Sequence, residues 1–488
     1  MYKYFGLILV SLFSLMRAQT DSVNIVIGTF LGNQHRNYYG NVAPQRLDLL
    51  WKVNIGQGKT RINSKGGEVV WKGCGWTGQP LLVEIEDTLY VIQGAFDHNL
   101  KLVNTVTQKI KWQYKFDDVI KGTGTIWENP EPAGPDEAYV ILQGSRLGLE
   151  NTTHSKLVPS FRGISLSSGE ELWRLNVRKT RSYSRDVDGS ALVLGDTVYI
   201  GLENSTFIGF DPSPANAAIK DTILQPEVYF EKLLYKQKDV TTHGGNLVME
   251  SSPCYLNGKI YFTSGSGYVF GYNPEKGAID WEFFIGSDMD GSAVVTSDSC
   301  LLIPVEKQYI TGNGGVFKLD PSKTPDSSVV WYFPVKDAKL SSWEGGVIGS
   351  PAVNDATLPD GFPHLAAVHA LDSNIYVIDY TALEADSVKV WGPNKKHKYR
   401  TPKLIWQKNV GPSISTPIFV GNKLVTTGYW GVRLFQYNEK GEFKHLDHFP
   451  YSAFESTPVV HDGKLYIGGK TGYLYCLGEK EEIINESK

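Results

Sequence analysis

A phrase rich in carboxylates occurs twice in this chain. Residues 186–201 read DVDGSALVLGDTVYIG and residues 288–303 read DMDGSAVVTSDSCLLI. Related phrases open with Glu250 (ESSPCYL) and Glu455 (ESTPVVH), and Glu344 stands shortly before GSPAV. Carboxylates gathered in one place repel one another unless a cation or a basic group sits among them, and calcium suits an oxygen-rich set. The pattern therefore predicts a local site in which Asp188, Glu250 and Asp290 hold a cation, calcium in the metal reading, with Glu455 on the same rim. Arg185 and His243, close in sequence, are the expected partners when nothing is bound. Trp343 is an aromatic placed either to stack on a sugar or a peptide or to pack between blades. In the alternative, each Asp or Ser merely accepts backbone N–H bonds at a strand entrance.

Other reactive constellations do not assemble. His445 and His448 in HLDH are ligand types, but positions three apart on a strand face opposite ways. SGSG (264–267) reads as a turn and lacks the GxSxG of a nucleophile elbow. No Ser–His–Asp set follows from spacing, so no catalytic residue is assigned. The four cysteines, Cys74, Cys254, Cys300 and Cys476, contain no CxxC and are expected as buried free thiols, with no bridge between Cys254 and Cys300 or between Cys74 and Cys476.

The elements that carry the acidic phrases follow from their repetition. Copies open near Gly78, Glu128, Asp188, Glu250, Asp290, Gly349, Ser415 and Glu455. The Glu128 copy (ENPEPAGPDEAYVILQG) is the most degenerate. Each runs from a small residue or Pro into a short apolar stretch, then a turn such as LNG, HDG or LGD. An alternating stretch follows, and a Gly turn leads into a third. Several copies end on a Trp: Trp112, Trp173, Trp281, Trp331 and Trp406. Four short strands repeated radially make an all-β propeller with antiparallel four-stranded blades, eight here and seven if the Glu128 copy is discounted. The tryptophans are expected to pack between blades. The last copy lacks a fourth strand, and LDLLWKVNI (47–55) offers one. Residues 48–53 should therefore pair with 473–477 and close the ring. In propellers the first strand lines the central channel, so Asp188, Glu250 and Asp290 should face that channel from three successive blades.

Composition narrows partners and compartment. The 488 residues carry a net charge of −4 with no basic run, which argues against nucleic acid. Lys3, the apolar run from Gly6 to Leu15 and Ala18 read as a signal peptide, so the mature chain is expected to be exported, periplasmic or secreted. No further stretch reaches membrane length. No Cys precedes Cys74, so neither a transmembrane segment nor a lipid anchor is expected. The expected division is signal peptide 1–18, lead-in 19–44, propeller 45–478 and charged tail 479–488.

GISLSSGEELW (163–173) and GYNPEKGAIDW (271–281) resemble the blade ending of the PQQ-like, or quinoprotein alcohol dehydrogenase-like, propeller repeat. The resemblance spans residues 45–478. Asn273 stands where that repeat usually has Asp, and the blade ending at Trp331 replaces the Thr-Gly turn with PSKTPDSS. It implies a propeller and one of two classes: quinoprotein dehydrogenases, or non-catalytic members of the outer-membrane assembly scaffold type. The dehydrogenases commonly carry adjacent cysteines against the quinone, and this sequence has none. The reading is a non-catalytic binding or scaffold protein for a protein or saccharide partner. No cofactor is expected, PQQ included, while calcium is allowed. The alternative is an enzyme, dehydrogenase or saccharide hydrolase or lyase, with its site in the acidic channel.

Overall fold

The computed structural model describes residues 22–62, 67–76 and 78–480. The expected signal peptide and most of the charged tail lie outside them. The regular secondary structure of the described chain is almost all strand, with short α-helices at Pro135–Ala138 and Gln237–His243. Its strands form eight antiparallel blades of four repeat strands each, in sequential order except in the last, whose outer strand comes from the N-terminal part of the chain. Among the described residues no helix is long and apolar enough to cross a membrane.

Alternation dictates the blades. In blade four, Lys259–Thr263 and Tyr268–Asn273 bury both faces between neighbouring blades, as expected of inner strands of a stacked ring. The outer strand Ala278–Phe284 is only partly covered. Its Trp281 closes the junction to blade five by donating its indole N–H to the Lys323 carbonyl at 3.0 Å. The same latch recurs as Trp112 to Leu166 (3.0 Å), Trp173 to Pro212 (2.9 Å) and Trp331 to Tyr380 (3.1 Å). Trp406 instead stacks on Phe443 of the next blade at 4.6 Å.

The ring closes as expected. Asp48–Asn54 pairs with Tyr473–Gly478 in the register Leu49↔Leu477, Trp51↔Cys476 and Val53↔Leu474. Blade two is real, but its first strand is Thr125–Glu128, so the phrase beginning at Glu128 is not its opening. ENPEPAGPDEA is the turn, with a helical segment, between its first two strands.

At the channel, a hydroxyl ring ties the blades together. The backbone N–H of Ser190 donates to the Ser252 hydroxyl, Ser252 to Ser292, Ser292 to Ser350, Ser350 to Thr416, Thr416 to Thr457, and Gln79 to Thr123, at 2.5–3.4 Å. This is why every phrase but that of blade one, which has Gln79, carries Ser or Thr at that place. The small residue before it is equally required. A Cβ on Gly122 would lie 1.9 Å from the Asp188 carbonyl oxygen, and one on Gly349 2.6 Å from that of Ser415.

The lead-in is more than a linker. Val23–Ile27 pairs with the first strand of blade one, and residues 28–40 run along the inner edges of other first strands. The carbonyls of Gly28, Gln34, His35 and Tyr39 accept N–H bonds from Ile126, Tyr255, Val295 and Val460. Arg36, fully buried, donates to the carbonyls of Phe30, Ala191 and Pro253. Strand edges that would otherwise face the channel unpaired are thereby satisfied.

All four cysteines are free and buried.

Candidate functional site

Spacing relative to the hydroxyl ring sets the positions that matter. Two residues before each ring hydroxyl stand Lys121 in blade two, Asp188 in three, Glu250 in four, Asp290 in five, Ile348 in six, Ile414 in seven and Glu455 in eight. One turn of the channel wall is thus acidic and another apolar. Asp188, Glu250 and Asp290 line a single cavity of about 20 Å³, floored by Phe30 and ringed by Thr123, Ser252, Ser292 and Ser350. That space suits one water or one ion.

The counter-charge differs from the one expected. Arg185 turns away from the cavity and donates to the carbonyls of Val177 and Ser155, at 2.6 Å each. His243 Nδ1 pairs with the Gly265 carbonyl at 2.6 Å, and the ring stacks on Tyr309 at 4.3 Å. Neither is the partner of Asp188. Lys121 is: its ammonium forms an ion pair with Asp188 and lies 3.6 Å from Glu203 and 3.8 Å from Asp186. Arg146 donates to Asp186 at 2.8 Å, and the Leu147 N–H adds a second bond to that carboxylate.

Trp76 covers this arrangement. Its ring lies 5.0 Å from the Lys121 ammonium, and its indole N–H donates to Glu250 Oε2 at 2.7 Å. Trp343 packs beside Trp76, ring centroids 5.5 Å apart, over a patch formed by Ile348, Leu371 and Ile414. Trp343 therefore belongs to the apolar half of the mouth. Glu455 stands apart, held by Lys470 at 2.8 Å and by the Tyr429 hydroxyl at 2.8 Å.

Charge balance is the salient property. Asp186, Asp188, Glu203, Glu250, Asp288, Asp290 and Glu306 crowd this side of the channel, while Lys121 and Arg146 are the basic groups bonded to them. Burial works against the charge on Lys121, but Asp188, Glu203, Glu250 and Asp186 outweigh it and raise its pKa well above the usual ammonium value. Burial likewise opposes ionisation of Asp186, yet Arg146 and Lys121 prevail and hold it below the usual carboxylate range. The others go the opposite way. Burial, then the charge of Glu203, pushes Glu250 up to about 8. Burial and neighbouring acids raise Glu203, Asp290 and Glu306 well above the ordinary value. Asp188 is also raised, chiefly by burial, despite Lys121.

Sequence reasoning missed Lys121, Glu203, Glu306 and Trp76. A signal for Lys121 was present: KGT at 121–123 follows the same grammar as DGS at 188–190. Glu203 and Glu306 each directly follow the second strand of a D-x-D-G-S blade. Chemically, the site can neutralise a positive group, and its raised carboxyls can hold or release protons near neutrality.

No protein-family profile matches the sequence, and no curated protein does. Solved structures do. The chain is similar to the quinohemoprotein alcohol dehydrogenase of Comamonas testosteroni (14% identity, TM-score 0.57, covering 95% of this chain and 81% of that one). It is similar to a europium-containing methanol dehydrogenase (13%, TM-score 0.53, covering 93% and 98%). It also aligns with BamB from Moraxella catarrhalis (13%, TM-score 0.49, covering 89% and 98%). At such identities the likeness is one of fold, and that fold is the eight-bladed β-propeller.

Proposed function

We propose that the chain is an exported binding or scaffold protein whose channel mouth holds a positively charged group of a protein or saccharide partner, with calcium as the metal counterpart. Asp188 carries this reading. Its Oδ1 is buried, lacks a hydrogen-bond partner among the described residues, and belongs to a carboxylate that lines one cavity with Glu250 and Asp290. A buried acceptor left unsatisfied costs about 1–3 kcal/mol, more when charged. A cation in the cavity offsets that cost, and the hydroxyls of Ser252, Ser292 and Ser350 add the neutral oxygens that calcium takes alongside carboxylates.

A quinone does not fit these residues. The cavity of about 20 Å³ is far smaller than a three-ring cofactor, and Trp76 spans the space above Lys121. One observation favours the enzymatic alternative: a carboxyl held at about 8, that of Glu250, is suited to general acid–base work near neutrality.

Metal and cofactor analysis of the purified protein, followed by calcium titration, tests the reading. Retained cation, or calcium binding that Asp188→Asn abolishes, supports it. A protein that neither retains nor binds a cation contradicts it.

A further inference from the structure

Each D-x-D-G-S blade contributes a third carboxylate to its phrase. In blade three the set is Asp186, Asp188 and Glu203; in blade five it is Asp288, Asp290 and Glu306. Both glutamates directly follow a second strand, Thr197–Leu202 in one blade and Leu301–Val305 in the other. The two blades carry the same acids at matching positions, although in space Asp188 and Glu203 converge with Glu250 while Asp288, Asp290 and Glu306 converge with one another.

The two copies differ in what neutralises them. In blade three the Lys121 ammonium reaches all three carboxylates, and Arg146 joins at Asp186. In blade five the three carboxylates offer oxygens within 4.8 Å of one another, and among the described residues no Lys, Arg or His forms an ion pair with them. The wall position that gives Lys121 to blade three from the preceding blade gives Glu250 to blade five, so another acid stands where the ammonium would come from.

Two buried polar side chains at this second set are unmatched, Glu306 in charge and Asn246 in hydrogen bonding. Glu306 is only 2% exposed, and its surroundings (burial, then Asp288, Glu250 and Glu344) all oppose its charge. Asn246 donates to Asp288 Oδ2 at 2.6 Å but keeps a buried Oδ1 with no partner among the described residues. Tyr183 and Tyr309, which are 52% and 43% exposed, stand near enough to the set to feel its charges.

We propose that the blade-five set of Asp288, Asp290 and Glu306 binds an external primary ammonium group, as the blade-three set binds Lys121. Three carboxylates converging on one ammonium give each of its N–H donors an acceptor. Tyrosine rings beside the set favour an organic cation over a bare metal ion. The source is a free alkylamine or a lysine side chain of a partner. This rests on the reading that the channel mouth takes a positive group, and narrows that group to an organic one. Because the carboxyls ionise as the ammonium enters, binding releases protons. The charged and titratable groups facing the set are Glu250, Glu344, Lys121, His243 and the two tyrosines.

The test is calorimetric titration of the full chain near neutral pH with n-butylammonium chloride, spermidine, a blocked single-lysine peptide and calcium chloride, each in two buffers of different ionisation enthalpy. The expected result is single-site ammonium binding with proton release, weakened at least tenfold by Glu306→Gln and several-fold by Tyr309→Ala, and unaltered by the exposed control Glu86→Gln. Tighter binding of the free amines assigns the source to small amines, and tighter binding of the peptide assigns it to lysine. Ammonium binding that survives Glu306→Gln unchanged overturns the proposal. Calcium binding without ammonium binding overturns it and leaves the channel reading standing, whereas no binding of either cation overturns both.

Discussion

Lys121 and Asp188 hold the same wall position in consecutive blades and form an ion pair across the junction between them. The pair is buried, so its value lies less in attraction than in what its loss would expose. Lys121→Met strands the carboxylates of Asp188, Glu203 and Asp186 without the ammonium they share. The expected cost is about 3–5 kcal/mol in urea unfolding near pH 8. At pH 5, where the raised carboxyls are protonated and need no counter-charge, the cost should be markedly smaller.

Stability should fall as pH rises across neutrality. Glu250 has a folded-state pKa of about 8 against 4.5 for an ordinary glutamate, so between these values the folded chain holds a proton that the unfolded chain has lost. Stability from this group is present in full below the lower value and is lost progressively up to the higher. Glu203, Asp290 and Glu306 shift in the same direction and steepen the loss. Melting temperature measured from pH 5 to pH 8 should decline, and Glu250→Gln should flatten that decline.

The blade latches can be removed one at a time. Trp173→Phe keeps a ring between blades two and three but leaves the buried Pro212 carbonyl without its donor. A destabilisation of about 1–3 kcal/mol is expected in denaturant unfolding, with the fold intact by circular dichroism.

Thiol chemistry should report burial rather than bridging. Burial pushes the thiols of Cys74, Cys254 and Cys476 up to about 12 and that of Cys300 to about 11, so few thiolates form in the native state. Alkylation without reductant should be slow under native conditions and should modify all four cysteines after unfolding. Fewer than four would mean a bridge.

The propeller was legible because its grammar is local. The hydroxyl, the small residue before it and the latch tryptophan each answer to one contact with the next blade, so each recurs at a fixed place in the phrase. Blade two hid its opening because KGTGTIW lacks the Ser-Pro and acidic marks of its sisters, and the Lys121 that completes the site went with it. Arg185 and His243 misled for a different reason. Nearness in sequence says little about direction, and backbone carbonyls of Val177 and Gly265 claim them first. Glu203 and Glu306 return to the rim at the far end of a second strand, a convergence visible only once strand lengths are known. The role of residues 28–40 along the inner strand edges had no sequence signal, since it depends on carbonyls meeting N–H groups from four blades and on the Tyr39 hydroxyl meeting that of Val353 in a fifth.

The most direct test of the central claim, that the channel carboxylates bind a positive group, is a calorimetric comparison of the wild type with the Asp188→Asn/Asp290→Asn double variant near pH 8, titrated with calcium and with n-butylammonium. The account predicts that at least one of these cations binds the wild type with proton release and raises its melting temperature, and that the double variant binds it at least tenfold more weakly. Equal affinity and an equal thermal shift in both proteins, or no binding to either, would contradict it.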